Sequence, residues 1–174
     1  MTNSEKMLKH MAWANSEILS KVAQMPDEAL DSYVVNPEWT AREIIVHIVR
    51  SAHFLRQRLL LLTPEDAQGE HVQREAYFKS ERALEKSADI PAFVEALKKT
   101  DQALLEESQA PDGTVYRLVD GKLTQRARST VIFQAIHHAT EHRAHLVSAL
   151  EARGFDSINL DHYALWGFAD KFGE

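Results

Sequence analysis

The 174-residue chain contains no cysteine. That absence excludes a disulfide framework, a thiolate zinc site and a cysteine nucleophile together, so any metal must be held by nitrogen and oxygen ligands. Long hydrophobic runs are missing as well: no apolar stretch approaches the roughly 20 residues needed to span a bilayer. The opening Met1-Thr2-Asn3-Ser4-Glu5-Lys6 lacks the apolar core of a signal peptide, and the expected location is the cytoplasm. Basic charge is in deficit, with 20 Lys and Arg against 26 Asp and Glu and a formal charge of -6. Bulk electrostatics therefore argue against nucleic acid or an anionic membrane as partner and leave a small molecule or a protein.

What is present describes an ordinary globular chain. At 44% hydrophobic and 26% charged residues it is neither disordered nor fibrous, and its length suits one domain over residues 1–174 with its own core. No internal repeat, low-complexity tract or interdomain linker divides it.

Helical periodicity dominates. From about Ser4 to Gln24, Met7, Leu8, Met11, Ala14, Ile18, Leu19 and Val22 recur at spacings of three and four, a first amphipathic helix closed by Met25-Pro26-Asp27. Thr40-Ala41-Arg42-Glu43 reads as a capping box opening a second helix, which runs through Ile44, His47, Ile48, Phe54, Leu55 and Leu62 to Thr63-Pro64. The polar stretch Ala67 to Ser87 reads as loop plus an irregular helix. Pro91 suits the first turn of a third main helix carrying Phe93, Val94, Leu97, Leu104 and Leu105.

Asp120-Gly121, set between Thr114–Val119 and Lys122–Gln125, is a hairpin signal. A fourth main helix is expected from about Ser129 to Arg153, ended by Gly154. The tail from Phe155 holds Leu160, Tyr163, Leu165, Trp166 and Phe168, enough apolar mass to pack back. The expected fold is all-α: a four-helix bundle with a short β-hairpin before the last long helix.

Within that last helix stands His137-His138-Ala139-Thr140-Glu141-His142-Arg143-Ala144-His145, which holds four of the chain's nine histidines. Imidazoles spaced i, i+4 stand one above the other on a helix face, so His138 and His142 can share one divalent ion if a third ligand comes from elsewhere. His47 lies mid-helix among Ile44, Ile45, Ile48 and Val49, on a helix that a bundle would set beside the last one. Three neutral imidazoles from two helices make a common site for Zn²⁺ or Ni²⁺, with a position left for water or substrate.

His145 falls on the same side but about 10 Å along the axis from His138, which suits a pocket or rim residue better than a ligand. His137 points about 100° away and reads as surface or packing. His10, His53, His71 and His162 lack convergent partners in the sequence. Glu141 reads as a surface carboxylate, and Arg143 as a solvated or salt-bridged helix residue.

Three segments together resemble the DinB-like superfamily, also described with the YfiT-like metal-dependent hydrolases, which includes bacillithiol and mycothiol S-transferases. They are Met11-Ala12-Trp13-Ala14-Asn15, then Trp39-Thr40-Ala41-Arg42-Glu43-Ile44-Ile45-Val46-His47, and His138-Ala139-Thr140-Glu141-His142-Arg143-Ala144-His145. Two departures from the usual His-x-x-x-His-Arg-Gly-Gln stand out. Ala144 replaces glycine, and His145 replaces glutamine, bringing a ring that can titrate near neutral pH.

The resemblance implies a bundle often found as a homodimer, with His47, His138 and His142 as the metal triad. It also implies a transferase whose nucleophile is a low-molecular-weight thiol, since the chain has no cysteine thiol of its own. Hydrolysis by metal-activated water and a non-catalytic, stress-related metal-binding bundle are the alternatives. Arg143 and His145 are the candidates for orienting an acidic group or shuttling a proton.

Overall fold

The computed structural model describes residues 2–80 and 83–173. Four long helices form the bundle: α1 (Asn3–Val22), α2 (Ala41–Arg58), α4 (Ile90–Glu107) and α5 (Arg128–Glu151). A further helix, α3 (Pro64–Ser80), follows α2, and a short one, α6 (Leu165–Phe172), closes the chain. The hairpin β1 (Thr114–Val119) and β2 (Lys122–Ala127) precedes α5. No helix among the described residues is long and apolar enough to cross a membrane.

Local chemistry sets the helix starts. Thr2 caps α1 by accepting from the Glu5 backbone N–H at 3.2 Å, and Glu5 returns the bond to the Thr2 N–H. Thr40 caps α2 through the Glu43 N–H at 3.3 Å. The return bond from the Glu43 side chain expected of a capping box is not formed among the described residues.

The structure corrects the sequence reading between α2 and α4. Thr63-Pro64 opens α3 instead of merely ending α2. The Asp66 carboxylate accepts from the Leu62 and Thr63 N–H groups at 3.1 and 2.9 Å, while the Thr63 hydroxyl accepts from the Asp66 N–H at 3.2 Å. This reciprocal cap, with proline at the first helical position, starts a helix that runs to Ser80, earlier and more regular than the loop plus irregular helix that polarity had suggested. A polar helix needs only a narrow buried stripe when it lies outside the bundle, and among the described side chains of this one Ala67 and Glu70 are buried.

In the bundle, α1 packs on α4 and α5, and α2 packs on the same two helices. The core gathers Ile18, Leu19, Ile44, Ile45, Leu97, Leu146 and Leu150 toward one end, and Leu8, Met11, Leu55, Leu59, Leu104 and Ile132 toward the other. The Asp-Gly turn forms as expected, with Asp120 and Gly121 both left-handed at φ 49° and 74° and Val119 paired to Lys122. Gly154, at φ 86°, lets the chain leave α5. The tail then folds back, burying Tyr163 and Phe168 beside Trp13.

Arg128 fastens the end of the bundle nearest the hairpin. Its buried guanidinium donates to the Leu59 carbonyl at 2.6 Å and the Glu107 carbonyl at 2.9 Å. These oxygens sit at the ends of α2 and α4, where helical carbonyls have no partner in the helix itself. One side chain thereby sets α5 against both neighbours, and it fixes the level at which α2 and α5 run past each other.

Candidate metal centre

Along α2, buried Ile44, Ile45 and Ile48 hold one face in the core, which turns His47 toward the seam with α5. Along α5, Val131, Ala135, Ala139, His142 and Ala149 are buried, so the histidine face is also the packing face. His138 is half-buried and His142 buried.

The three rings meet at this seam. One ring nitrogen from each of His47, His138 and His142 lies within 4.8 Å of the others. His47 Nε2 and His138 Nε2 are 3.1 Å apart, close to the about 3.3 Å kept by two nitrogens on one tetrahedral ion at ligand distances of about 2.0–2.1 Å. His142 Nδ1 is buried without a hydrogen-bond partner among the described residues. A buried polar nitrogen left in that state is costly, and a cation near these rings is one way of relieving such cost. The donor set is neutral, borderline and nitrogen-only, which fits a divalent transition metal.

Electrostatics hold the rings in their ligating, unprotonated form. Burial lowers the pKa of His47, and the Arg50 charge adds to it. His138 is lowered by burial and then by His47. His142 is pushed down to about 4 by burial, followed by repulsion from His138 and His47. Exposed Glu141 opposes the shift at all three, so its charge reaches the site although no hydrogen bond joins it to the rings among the described residues.

Two neighbours were not assigned from the sequence. Ser51 places its hydroxyl 3.3 Å from His47 Nε2; its i+4 spacing from His47 was the available signal. Trp39 sets its ring edge-on to His47 and His142, at centroid distances of 5.2 and 5.8 Å.

The other named residues lie apart from this cluster. His145 is exposed, with its ring 5.3 Å from that of His142, at the rim. His137 is exposed. His10 is buried against the tail, its Nε2 2.7 Å from the Tyr163 carbonyl, and His53 stacks on Tyr77. His162 is exposed, and the side chain of His71 lies outside the described residues.

Arg143 is buried. It donates to the Asn15 side-chain carbonyl at 2.6 Å and the Thr140 hydroxyl at 3.0 Å. Asn15 in turn donates to Asp101 at 3.1 Å. Burial raises Asp101 to about 7 despite that bond, and burial lowers Arg143 to about 10. This chain of polar groups ties α5 to α1 and α4. Asp101 was missed because it occupies the apolar stripe Phe93, Leu97, Leu104, where an acid is legible only as an anomaly.

The sequence profile of the DinB family matches residues 1–167. The chain belongs to the DinB family. No curated protein and no solved structure matches it significantly. In this DinB-family bundle the opening-helix segment and the last-helix segment are joined physically, since Asn15 of the first bonds Arg143 of the second. Trp39 and His47 of the remaining segment meet His142 in the same cluster.

Proposed function

We propose that this DinB-family protein holds a divalent transition metal, zinc or nickel, on His47, His138 and His142, and conjugates a low-molecular-weight thiol to an electrophilic small molecule, the thiol losing its proton and the electrophile its leaving group, such as chloride, as the sulfur–carbon bond forms. The observation that carries the reading is the convergence of three imidazoles from two helices on one point. When bound, the metal supplies undiluted double positive charge, which favours the ionised form of a thiol.

The surrounding residues suit a thiol better than water. A free thiol ionises near pH 8.5, so it needs far less help from the metal than water, whose pKa of about 15.7 must be brought down to about 7. Among the described residues no carboxylate is hydrogen-bonded to the three rings, and Glu141 acts on them only through its charge. Ser51 offers a hydroxyl that can donate to a negative atom placed beside His47. Trp39 lies edge-on to two of the rings and sets an apolar surface beside the site. His145 stands at the rim, where an imidazole can exchange a proton with solvent, while Arg143 works at a distance by anchoring α5 through Asn15. A cytoplasmic location, where small thiols stay reduced, agrees with this reading.

The test is conjugation of small thiols to a chlorinated aromatic electrophile by the zinc- or nickel-loaded protein. Thiol-dependent turnover that disappears in His47→Ala, together with loss of bound metal from His138→Ala and His142→Ala in elemental analysis, is the expected result. Ester or amide turnover without any thiol would replace this reading with the hydrolase. Full metal retention by either variant would remove the triad.

A further inference from the structure

The seam that carries the histidines continues toward the hairpin and opens there into a second feature. On α2, Ser51, Leu55 and Arg58 follow His47 at helical spacing, and on α5, Gln134 precedes His138 by one turn. The two helices run antiparallel, since His47 meets His138 while the Leu59 carbonyl meets Arg128. Between them and the hairpin lies a cavity of about 210 Å³, with Arg58, Arg117, Arg126, Tyr116, Thr130 and Gln134 in its lining.

Three arginines in the lining of one small cavity are out of keeping with a chain of net charge -6; Arg58 and Arg117 are partly buried there, while exposed Arg126 donates to the Gln125 carbonyl at 2.6 Å. The lining contains no carboxylate. Glu70 lies behind Arg58, 3.7 Å from its Nε, and compensates one of the three charges. Among the described residues neither Arg117 nor Arg126 has an ion-pair partner. The Nε of Arg117 is buried without a hydrogen-bond acceptor and without an ion-pair partner among the described residues, so it carries the desolvation cost of an unmet charged group; the Arg58 Nε also lacks an acceptor within hydrogen-bond distance, but Glu70 offsets its charge. Arg58 is also held below its ordinary pKa, by burial first and then by repulsion from Arg117, against the opposing pull of Glu70.

We infer that this cavity is an anion subsite, in which Arg58, Arg117 and Arg126 take a carboxylate or phosphate group of a small molecule. Planar guanidinium groups donate in pairs to such oxygens, and Tyr116, Thr130 and Gln134 add neutral donors. The subsite lies within a small molecule's reach of the histidines. Gln134 and Val131 stand about 6 and 10 Å before His138 along α5, and the Arg58 charge is felt at His138. A substrate of roughly that length, acidic at one end, would put its other end at the imidazoles. This last link rests on the proposed function; anion binding by the cavity does not.

Isothermal titration separates the two. Succinate and inorganic phosphate are titrated into wild-type protein, Arg117→Gln, Arg126→Gln and His138→Ala, with uncharged succinamide as control. Binding of at least one anion by the wild type is expected, weakened about ten-fold or more in each arginine variant, unchanged in His138→Ala, and absent for succinamide. The stronger of the two anions tells whether carboxylate or phosphate is preferred. Circular dichroism confirms that the variants fold, and Arg117→Lys keeps the charge should Arg117→Gln unfold. No anion binding by the wild type, equal binding of succinamide, or undiminished affinity in both arginine variants would overturn the subsite. If thiol transfer fails while the anion binds as described, the proposed function falls and the subsite stands.

Discussion

A histidine can ligate only while it is neutral, and the three rings of the seam are biased that way by burial, helped by the Arg50 charge at His47 and by the neighbouring histidines at His138 and His142. With His142 at about 4 when folded and near 6.5 when unfolded, its contribution to stability is complete above about pH 6.5 and is lost as pH falls toward 4. Asp101 has the opposite sign. Its folded value of about 7 lies above the ordinary 3.8, so its contribution is present below pH 3.8 and is lost as pH rises through 7. Comparing wild type with Asp101→Asn isolates this group from the other carboxylates. The variant is expected to gain on the wild type between pH 4 and pH 8, by a few kcal/mol at most, in urea unfolding followed by circular dichroism. A difference that does not change with pH would show that Asp101 is ionised throughout.

Among the elements, the tail depends on one close approach. A Cβ on Gly167 would lie 2.4 Å from the His162 backbone carbonyl oxygen, and that oxygen has no flexible side chain to move aside. Gly167→Ala is therefore expected to push α6 away from Trp13, loosening Phe168 and Tyr163, at a cost of about 1–3 kcal/mol. Thermal unfolding reads this as a clearly lower Tm, and an unchanged Tm would mean that α6 contributes little to the fold. Helix α3 teaches a related lesson. Its polar sequence has too few apolar positions to show a helical period, yet Thr63 and Asp66 cap it and β1 packs on it.

Across the whole molecule, the three-histidine cluster joins α2 to α5, the helices that Arg128 aligns at the other end of the seam, and a metal held there would clasp the two together. A ligand that binds only the folded arrangement stabilises it by mass action, about 2.7 kcal/mol at a hundred times its Kd. Saturating Zn²⁺ or Ni²⁺ is expected to raise the Tm of the wild type by several degrees and to leave His138→Ala unmoved. An equal rise in the variant would place the metal elsewhere. Because protons compete for the imidazoles, the rise is expected to shrink as pH is lowered toward 4.

The sequence by itself determined the four main helices, the Asp-Gly hairpin and the i, i+4 pair His138 and His142, since periodicity, turn chemistry and helical spacing are local properties written in consecutive residues. It also directed attention to His47, through the helix that carries it. Tertiary structure decided what no local pattern encodes. It brought His47 to within 3.1 Å of His138 from ninety-one residues away, and it buried Arg143 against Asn15. It also drew Arg58, Arg117 and Arg126 from a helix and two strands into one cavity. The reason is physical: a helix fixes which residues share its face, but only packing against other elements fixes what that face meets, and therefore which charges are buried and which remain to bind.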